Sequence, residues 1–244
     1  MNKIITFMLG AMLALNGSAQ QLAVLKDIET CYDDALNQSF ATQTNQLKPI
    51  IQKLSEAGED NPSPWLVYWQ SYGHYYEGIY LMQIDQKDAS EEALNRGLEL
   101  LDSKSTWSSE DHVLAGTIMG LMMGISPGKV MSLSAKSSKH YQKALKLSPD
   151  NMRVYLALGK SDYYKPKMFG GGKRVEEYLL KALELNDTCI EDPNAPSWGR
   201  EEIYGYLVRF YQREDRLDEA RLYLKQGLEL YPQDYMLNEL SSDL

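Results

Sequence analysis

Apolar positions recur along most of the chain with the period of an α-helix, and no stretch shows the strict alternation of a half-buried strand. Four segments repeat one pattern: SEEALNRGLELLD from Ser90, SSKHYQKALKLSPD from Ser137, RVEEYLLKALELND from Arg174 and LDEARLYLKQGLELYPQD from Leu217. Each places a small or branched residue, a large apolar or aromatic one four positions later, and a small one three beyond that, all on one helical face. Ala220, Leu224 and Gly227 are the clearest instance. The small residues Gly97, Ala144, Ala182 and Gly227 recur at separations of 47, 38 and 45 residues. Repetition at a period of about 20 to 50 residues marks a stacked-repeat architecture.

The other half of the unit recurs as well. WQSYGHYY places Trp69, Tyr72, Gly73 and Tyr76 in the pattern W-x2-[L/Y]-G-x2-Y, YLALG gives Tyr155, Leu158 and Gly159, and YGYLVRFY gives Tyr204, Leu207 and Tyr211, while Pro149 and Pro232 close two units. These motifs resemble the tetratricopeptide repeat, a helix-turn-helix of about 34 residues. The resemblance implies an all-α fold, an α-solenoid of about five helical hairpins wound as a right-handed superhelix. Residues 61–244 read as repeats, with a C-terminal helix near Tyr235 to Leu240 capping an end that would otherwise expose an apolar face. Residues 20–60 read as two N-terminal helices. The last unit, from Glu201, fits without a gap although Val208 stands where a glycine is expected. The unit near Met152 departs from the pattern at Asp162 and Val175, and around Gly116 and Gly120 the register is ambiguous.

The most chemically suggestive stretch is KMFGGGKR, residues 167 to 174. A phosphate-binding loop needs G-x4-G-K and then Ser or Thr after a strand, whereas here Lys167 takes the first glycine's place and Arg174 follows the lysine. The separation of 38 between Ala144 and Ala182 exceeds the repeat by 4, and that surplus falls at PKMFGGG, between the two helices of a unit. Two readings remain: a lengthened turn, or a small-anion site at the free N–H groups of the helix that Gly170, Gly171 and Gly172 precede, helped by Lys173 and Arg174. The separation of 45 exceeds the repeat by 11, located in NDTCIEDPNAPSWGR, a loop expected to cross one edge of the array anchored by Trp198.

The N-terminal MNKIITFMLGAMLALNGSAQQ carries Lys3, an apolar run from Ile4 to Leu15 and small residues at Gly17 and Ala19, the pattern of a cleavable secretory leader over residues 1–19. No cysteine stands at the expected cut for lipid attachment, so the mature chain is expected to be periplasmic or secreted, with no membrane span once the leader is removed. The net charge of −9 disfavours nucleic acid and anionic membrane surfaces as partners. Cys31 and Cys189 match no metal motif, and several intervening hairpins argue that they stay unpaired within one chain.

Catalytic signals are thin. His74 and Glu77 share a helical face but no further cluster completes a ligand set. GISPG, Gly124 to Gly128, has the letters of a nucleophile elbow around Ser126, but the preceding residues read as helix and Pro127 lacks the N–H that an oxyanion hole uses. Glu110, Asp111 and His112 read as a helix start. No enzymatic activity, metal or cofactor is expected. The aromatic run Trp65, Tyr68, Trp69, Tyr72, Tyr75, Tyr76 and Tyr80 exceeds what one helix needs for packing, which leaves Tyr68 or Tyr75 as candidates for a pocket wall.

In the family that the chain resembles, partners bind to residues of each first helix outside the packing pattern. The resemblance then points to Gln70, His74 and Glu77 in one unit, Arg153, Lys160, Tyr163 and Tyr164 in another, and Arg209, Gln212 and Arg213 in the last. This face is expected to hold another protein or a peptide with acidic character, the chain acting as a non-enzymatic exported scaffold. The alternative is a small-organic-ligand-binding accessory protein of a transport system, since the MFGGG turn and APSWG loop resemble exported, TRAP-associated tetratricopeptide proteins.

Overall fold

The computed structural model describes residues 23–59, 62–186, 192–242 and 244, so the N-terminal leader segment and Cys189 lie outside the described residues. The described residues fold into helices α1 (Ile28–Thr42), α2 (Leu47–Ala57), α3 (Pro64–Gln83), α4 (Lys87–Asp102), α5 (Ser109–Ile125), α6 (Val130–Leu147), α7 (Met152–Tyr164), α8 (Val175–Glu184), α9 (Arg200–Arg213), α10 (Leu217–Leu230) and α11 (Tyr235–Leu240). Short 3₁₀ turns at Pro127–Lys129 and Lys167–Phe169 follow α5 and α7. Among these residues no helix is long and apolar enough to cross a membrane.

Two compact units divide the chain: residues up to 107 with 118–135 and 192–196, and residues 108–117 with 136–191 and 197–244. In the first unit, α3 enters behind an N-cap at Ser63, whose hydroxyl accepts the Leu66 N–H, and Pro64 pre-sets the first turn. Its buried face carries Leu66, Tyr68, Trp69 and Tyr72, packed with Tyr32 of α1 and Leu47 and Leu54 of α2. The Tyr32 hydroxyl donates to the Trp69 carbonyl at 2.8 Å, so the phenol is satisfied in the interior. In the second unit, Val154, Leu156, Val175, Leu179, Ile203, Leu207 and Leu224 are buried in the cores formed by α5 to α11. The cap helix α11 starts at Asp234, which accepts the Leu237 N–H at 2.8 Å, and it buries Leu237 and Leu240.

One relation repeats from hairpin to hairpin. A Cβ at Gly78 of α3 would meet Leu94 of α4 at 2.5 Å, and one at Gly159 of α7 would meet Leu179 of α8 at 2.6 Å, so only glycine permits these approaches. Gly116 of α5 stands in the same relation to Tyr141 of α6, and Val208 of α9 takes this place in the last hairpin. Ser90 and Ser137 donate to the carbonyls of Gly78 and Gly116, at 2.7 and 3.0 Å, from equivalent places on the second helices. This resolves the ambiguous register around Gly116 and Gly120.

It also moves the register of α3. The aromatic pattern points to Gly73, but Gly73 faces Tyr32 and Ile51, and Gly78, five residues later, makes the hairpin contact. His74 and Glu77 therefore occupy hairpin-packing positions.

The two hairpins without an insertion turn alike. Asp85 and Asp215 both adopt positive φ, 60° and 59°, a conformation aspartate tolerates better than most residues. The N–H of the next residue then returns to the end of the first helix: Gln86 to the Leu81 carbonyl and Arg216 to the Tyr211 carbonyl, at 2.8 and 2.9 Å.

Candidate functional site

In the first unit the proposed groove residues are enclosed. Gln70 and Glu77 are 7% and 5% exposed. The Glu77 carboxylate accepts from Asn45 at 2.9 Å and contacts His74 Nδ1 at 3.1 Å, with Lys48 at 4.0 Å. Burial alone would raise this carboxyl, but the hydrogen bonds of His74 and Asn45 and the Lys48 charge hold it below the usual glutamate range. The Asn45 bond ties Glu77 to the turn before α2 and the His74 contact stays within α3, at odds with an exposed groove position. Tyr68 is fully buried, against the pocket-wall reading, and Tyr75 is half-buried.

Trp65 and Trp69 do something that no local pattern announces. Their indole N–H groups donate to the Asp192 carboxylate at 2.6 Å and the Asn194 carbonyl at 2.8 Å, fixing residues 192–196 in the first unit. Trp198, expected to anchor that loop, packs against the core of the second unit.

Arg153 departs furthest from expectation. It is 0% exposed, and its Nε donates to Glu110 at 2.9 Å while Asn151 donates to the other oxygen of the same carboxylate at 2.8 Å. Its NH1 reaches the Trp198 carbonyl at 3.1 Å, and its guanidinium lies 5.7 Å from the Trp198 ring centre. A charge enclosed this completely is retained only with such partners, so Arg153 is a structural residue closed to a ligand. Glu110, read as a helix-start acid, is the other half of that pair.

The remaining candidates converge. Lys160, Tyr163 and Tyr164 at the C-terminal end of α7 meet Tyr206, Arg209 and Arg213 of α9. The Tyr164 and Tyr206 hydroxyls are 3.0 Å apart, and the Tyr163 ring meets Tyr206 edge-on at 5.7 Å. Three cations lie over these rings: Arg213 over Tyr163 at 4.1 Å, Lys160 over Tyr206 at 5.2 Å, and Arg209 over Tyr206 at 5.9 Å. Burial pushes the Tyr206 phenol upward, so it stays neutral and donates or accepts a hydrogen bond. Tyr164 is 64% exposed. Acids accompany the cations: Glu202 pairs with Lys160, Glu239 lies 4.0 Å from Arg209 and Glu214 lies 3.5 Å from Arg213. Gln212 is half-buried on the same helix.

The N–H groups of the glycine turn itself are taken. The N–H groups of Gly170, Gly171 and Gly172 donate to the carbonyls of Lys167, Pro166 and Asp162, and the Arg174 N–H donates to the Asp162 carboxylate at 2.7 Å. These bonds build the lengthened turn between α7 and α8.

The other motifs resolve into structural contacts. The Ser126 hydroxyl donates to Glu91 at 2.7 Å from a helix-to-3₁₀ junction. The Nδ1 atoms of His112 and His140 lie 3.0 Å apart. No group of three or more His, Cys, Asp or Glu among the described residues is placed to hold a metal ion.

No family model and no curated protein matches the chain. Solved structures do. A thermophilic TPR protein in Thermus thermophilus aligns with a TM-score of 0.58 at 18% identity, covering 86% of this chain and 97% of its own. The HusA haemophore from Porphyromonas gingivalis aligns with a TM-score of 0.55 at 20% identity, covering 75% of this chain and 94% of its own. At such identities the likeness establishes the fold, an all-α helical repeat of tetratricopeptide type.

Proposed function

We propose that this chain, which has the tetratricopeptide-repeat fold, is an exported scaffold whose α7–α9 face takes an acidic segment of a partner protein. One observation carries the reading: Lys160, Arg209 and Arg213 are fixed over the rings of Tyr163 and Tyr206 beside the exposed Tyr164. Cations pre-ordered on aromatic faces lose little side-chain freedom when a carboxylate arrives, and the rings offer apolar contact to its neighbours. Arg213 donates one N–H to the Tyr163 carbonyl at 2.7 Å, but the acids nearest to Arg209 and Arg213, at 4.0 and 3.5 Å, leave further N–H groups of both open to a carboxylate. Selection from a random peptide library tests this reading. Enrichment of Asp and Glu among binders is expected, and binders without acidic residues would count against it.

A second reading has its own observation. An open cavity of about 630 Å³, with Leu145, Tyr155, Leu158 and Tyr178 on its apolar side and the Arg174–Glu177 pair, Lys181 and Glu184 on its charged side, is of a size that suits a small organic ligand. The fold is shared with a protein that is a haemophore, so small-ligand carriage is compatible with this architecture. Native mass spectrometry of the protein isolated from its own cell separates the two: a retained metabolite supports the ligand carrier, and a stoichiometric protein supports the scaffold.

A further inference from the structure

The turn that joins α7 to α8 projects two large apolar side chains into water. Met168 is 84% exposed and Phe169 63% exposed. The turn is closely built. Besides its internal hydrogen bonds, Gly170 and Gly172 hold φ at 81° and 82°, and a Cβ on Gly171 would collide with the Lys165 carbonyl. Both apolar side chains are thus held on an ordered support, without a core to join. Single exposed apolar residues are common on soluble proteins, but an adjacent pair on a braced protrusion is a surface feature that asks for a partner.

Its charge says which one. From Tyr163 to Val175 the sequence holds Lys165, Lys167, Lys173 and Arg174 and no acid, on a chain whose net charge is −9. Lys167 lies 3.3 Å from Glu214, and Arg174 pairs with Glu177. Lys165 and Lys173 are exposed, with no ion pair among the described residues. An apolar apex with ammonium groups set behind it matches the layering of an anionic bilayer, where the apex enters the interface and the lysines stay at phosphate depth. A protein partner needs a complementary surface of roughly 800 Å² a side, which a three-residue 3₁₀ tip does not provide, whereas a lipid surface adapts to a convex one. Glu214 and Glu177 offset Lys167 and Arg174, so the attraction rests on Lys165 and Lys173, while the chain's acids more than about 8 Å away are largely screened at physiological salt.

We propose that the Lys165–Lys173 turn is a peripheral contact with anionic lipid, inserting Met168 and Phe169 into the bilayer interface. The contact is independent of the α7–α9 reading, since it uses other side chains. The test is co-sedimentation of the isolated protein with vesicles of equal parts phosphatidylglycerol and phosphatidylcholine, and with pure phosphatidylcholine vesicles. All variants share the same N-terminus, established by sequencing.

Expected results are binding to the anionic vesicles alone, at least about tenfold loss in M168S/F169S, and a similar loss in K165E/K173E or on raising the salt. Retained helical circular dichroism certifies the folding of each variant. F169W gives a second, local readout: its indole emission shifts to the blue and is quenched by brominated lipid only with anionic vesicles. Equal sedimentation of wild type and M168S/F169S, absence of wild-type binding, or an unshifted F169W spectrum would overturn the proposal. So would loss of a co-purifying protein in M168S/F169S with vesicle binding intact, which would assign the tip to a protein.

Discussion

The Asp162 carboxylate accepts the backbone N–H of Arg174 at 2.7 Å, while the Asp162 carbonyl accepts the Gly172 N–H at 2.9 Å. Asp162 stands where the repeat pattern expects an apolar residue, and its departure from that pattern and the four-residue insertion explain one another. The aspartate ties down the start of α8, whose first N–H groups have no partner within the helix. Asp162→Leu would restore the repeat pattern and remove the tie. A loss of about 1 to 2 kcal/mol in urea unfolding is expected, whereas a gain would show that the pattern outweighs the local bond.

The corrected register of α3 makes a paired prediction. Gly78→Ala places a methyl against Leu94, where a Cβ lies 2.5 Å from Cδ2, and should destabilise by about 1 to 3 kcal/mol. Gly120→Ala meets nothing within 4 Å and should gain up to about 1 kcal/mol from helix propensity. Equal urea midpoints for the two variants would undo the assignment.

Two titratable groups, Glu201 and His112, set opposite limits on stability with pH. Burial pushes the Glu201 carboxyl up to about 7, with the nearby Glu202 and Asp234 charges adding to it. The unfolded chain ionises Glu201 near 4.5, so stability is lost as pH rises from there through about 7. Glu201→Gln keeps the Gly199 N–H bond and should flatten the fall in Tm between pH 5 and pH 8, roughly the window this linkage covers. Burial lowers His112 to about 4, helped by His140 and Lys143 and opposed by Asp111. Its contribution is present above the ordinary value of 6.5 and lost as pH falls through about 4, so His112→Phe should resist acid better than wild type. Parallel Tm profiles for variant and wild type would refute either assignment.

Export predicts a mature N-terminus at Gln20, read by N-terminal sequencing of protein from the source cell, and an intact Met1 would refute it. On that material a non-reducing peptide map is expected to show no link between Cys31, which is exposed, and Cys189.

The hairpin order, the inserted turn and the last unit's register were legible because they depend on local periodicity and on Gly and Pro. The α3 register was not, because aromatic letters around Gly73 satisfy the repeat pattern as well as its packing does. The decisive signal was the spacing of 12 residues from Gly78 to Ser90, the same as from Val208 to Ala220. Arg153 looked like a groove cation because Glu110, its partner, is 43 residues away, and burial is a tertiary property. The clasp of Trp65 on Asp192, across 127 residues, leaves no trace in either segment. By contrast, Lys160, Tyr163, Tyr164, Arg209 and Arg213, which the resemblance places outside the packing pattern of two first helices, do lie together, because residues at matching places of neighbouring repeats stack side by side.

If the α7–α9 face attracts a negatively charged partner segment, peptide affinity must depend on salt through Arg209 and Arg213. For the tightest acidic peptide from library selection, Kd is measured across ionic strength on wild type and on R209E/R213E, with R209E alone as a control for folding. In the double variant association should slow, affinity should weaken by at least about tenfold and the salt slope should become shallower. Equal affinity with an unchanged slope would rule that out, and would leave Arg209 and Arg213 to their contacts with Glu239, Glu214, Tyr163 and Tyr206.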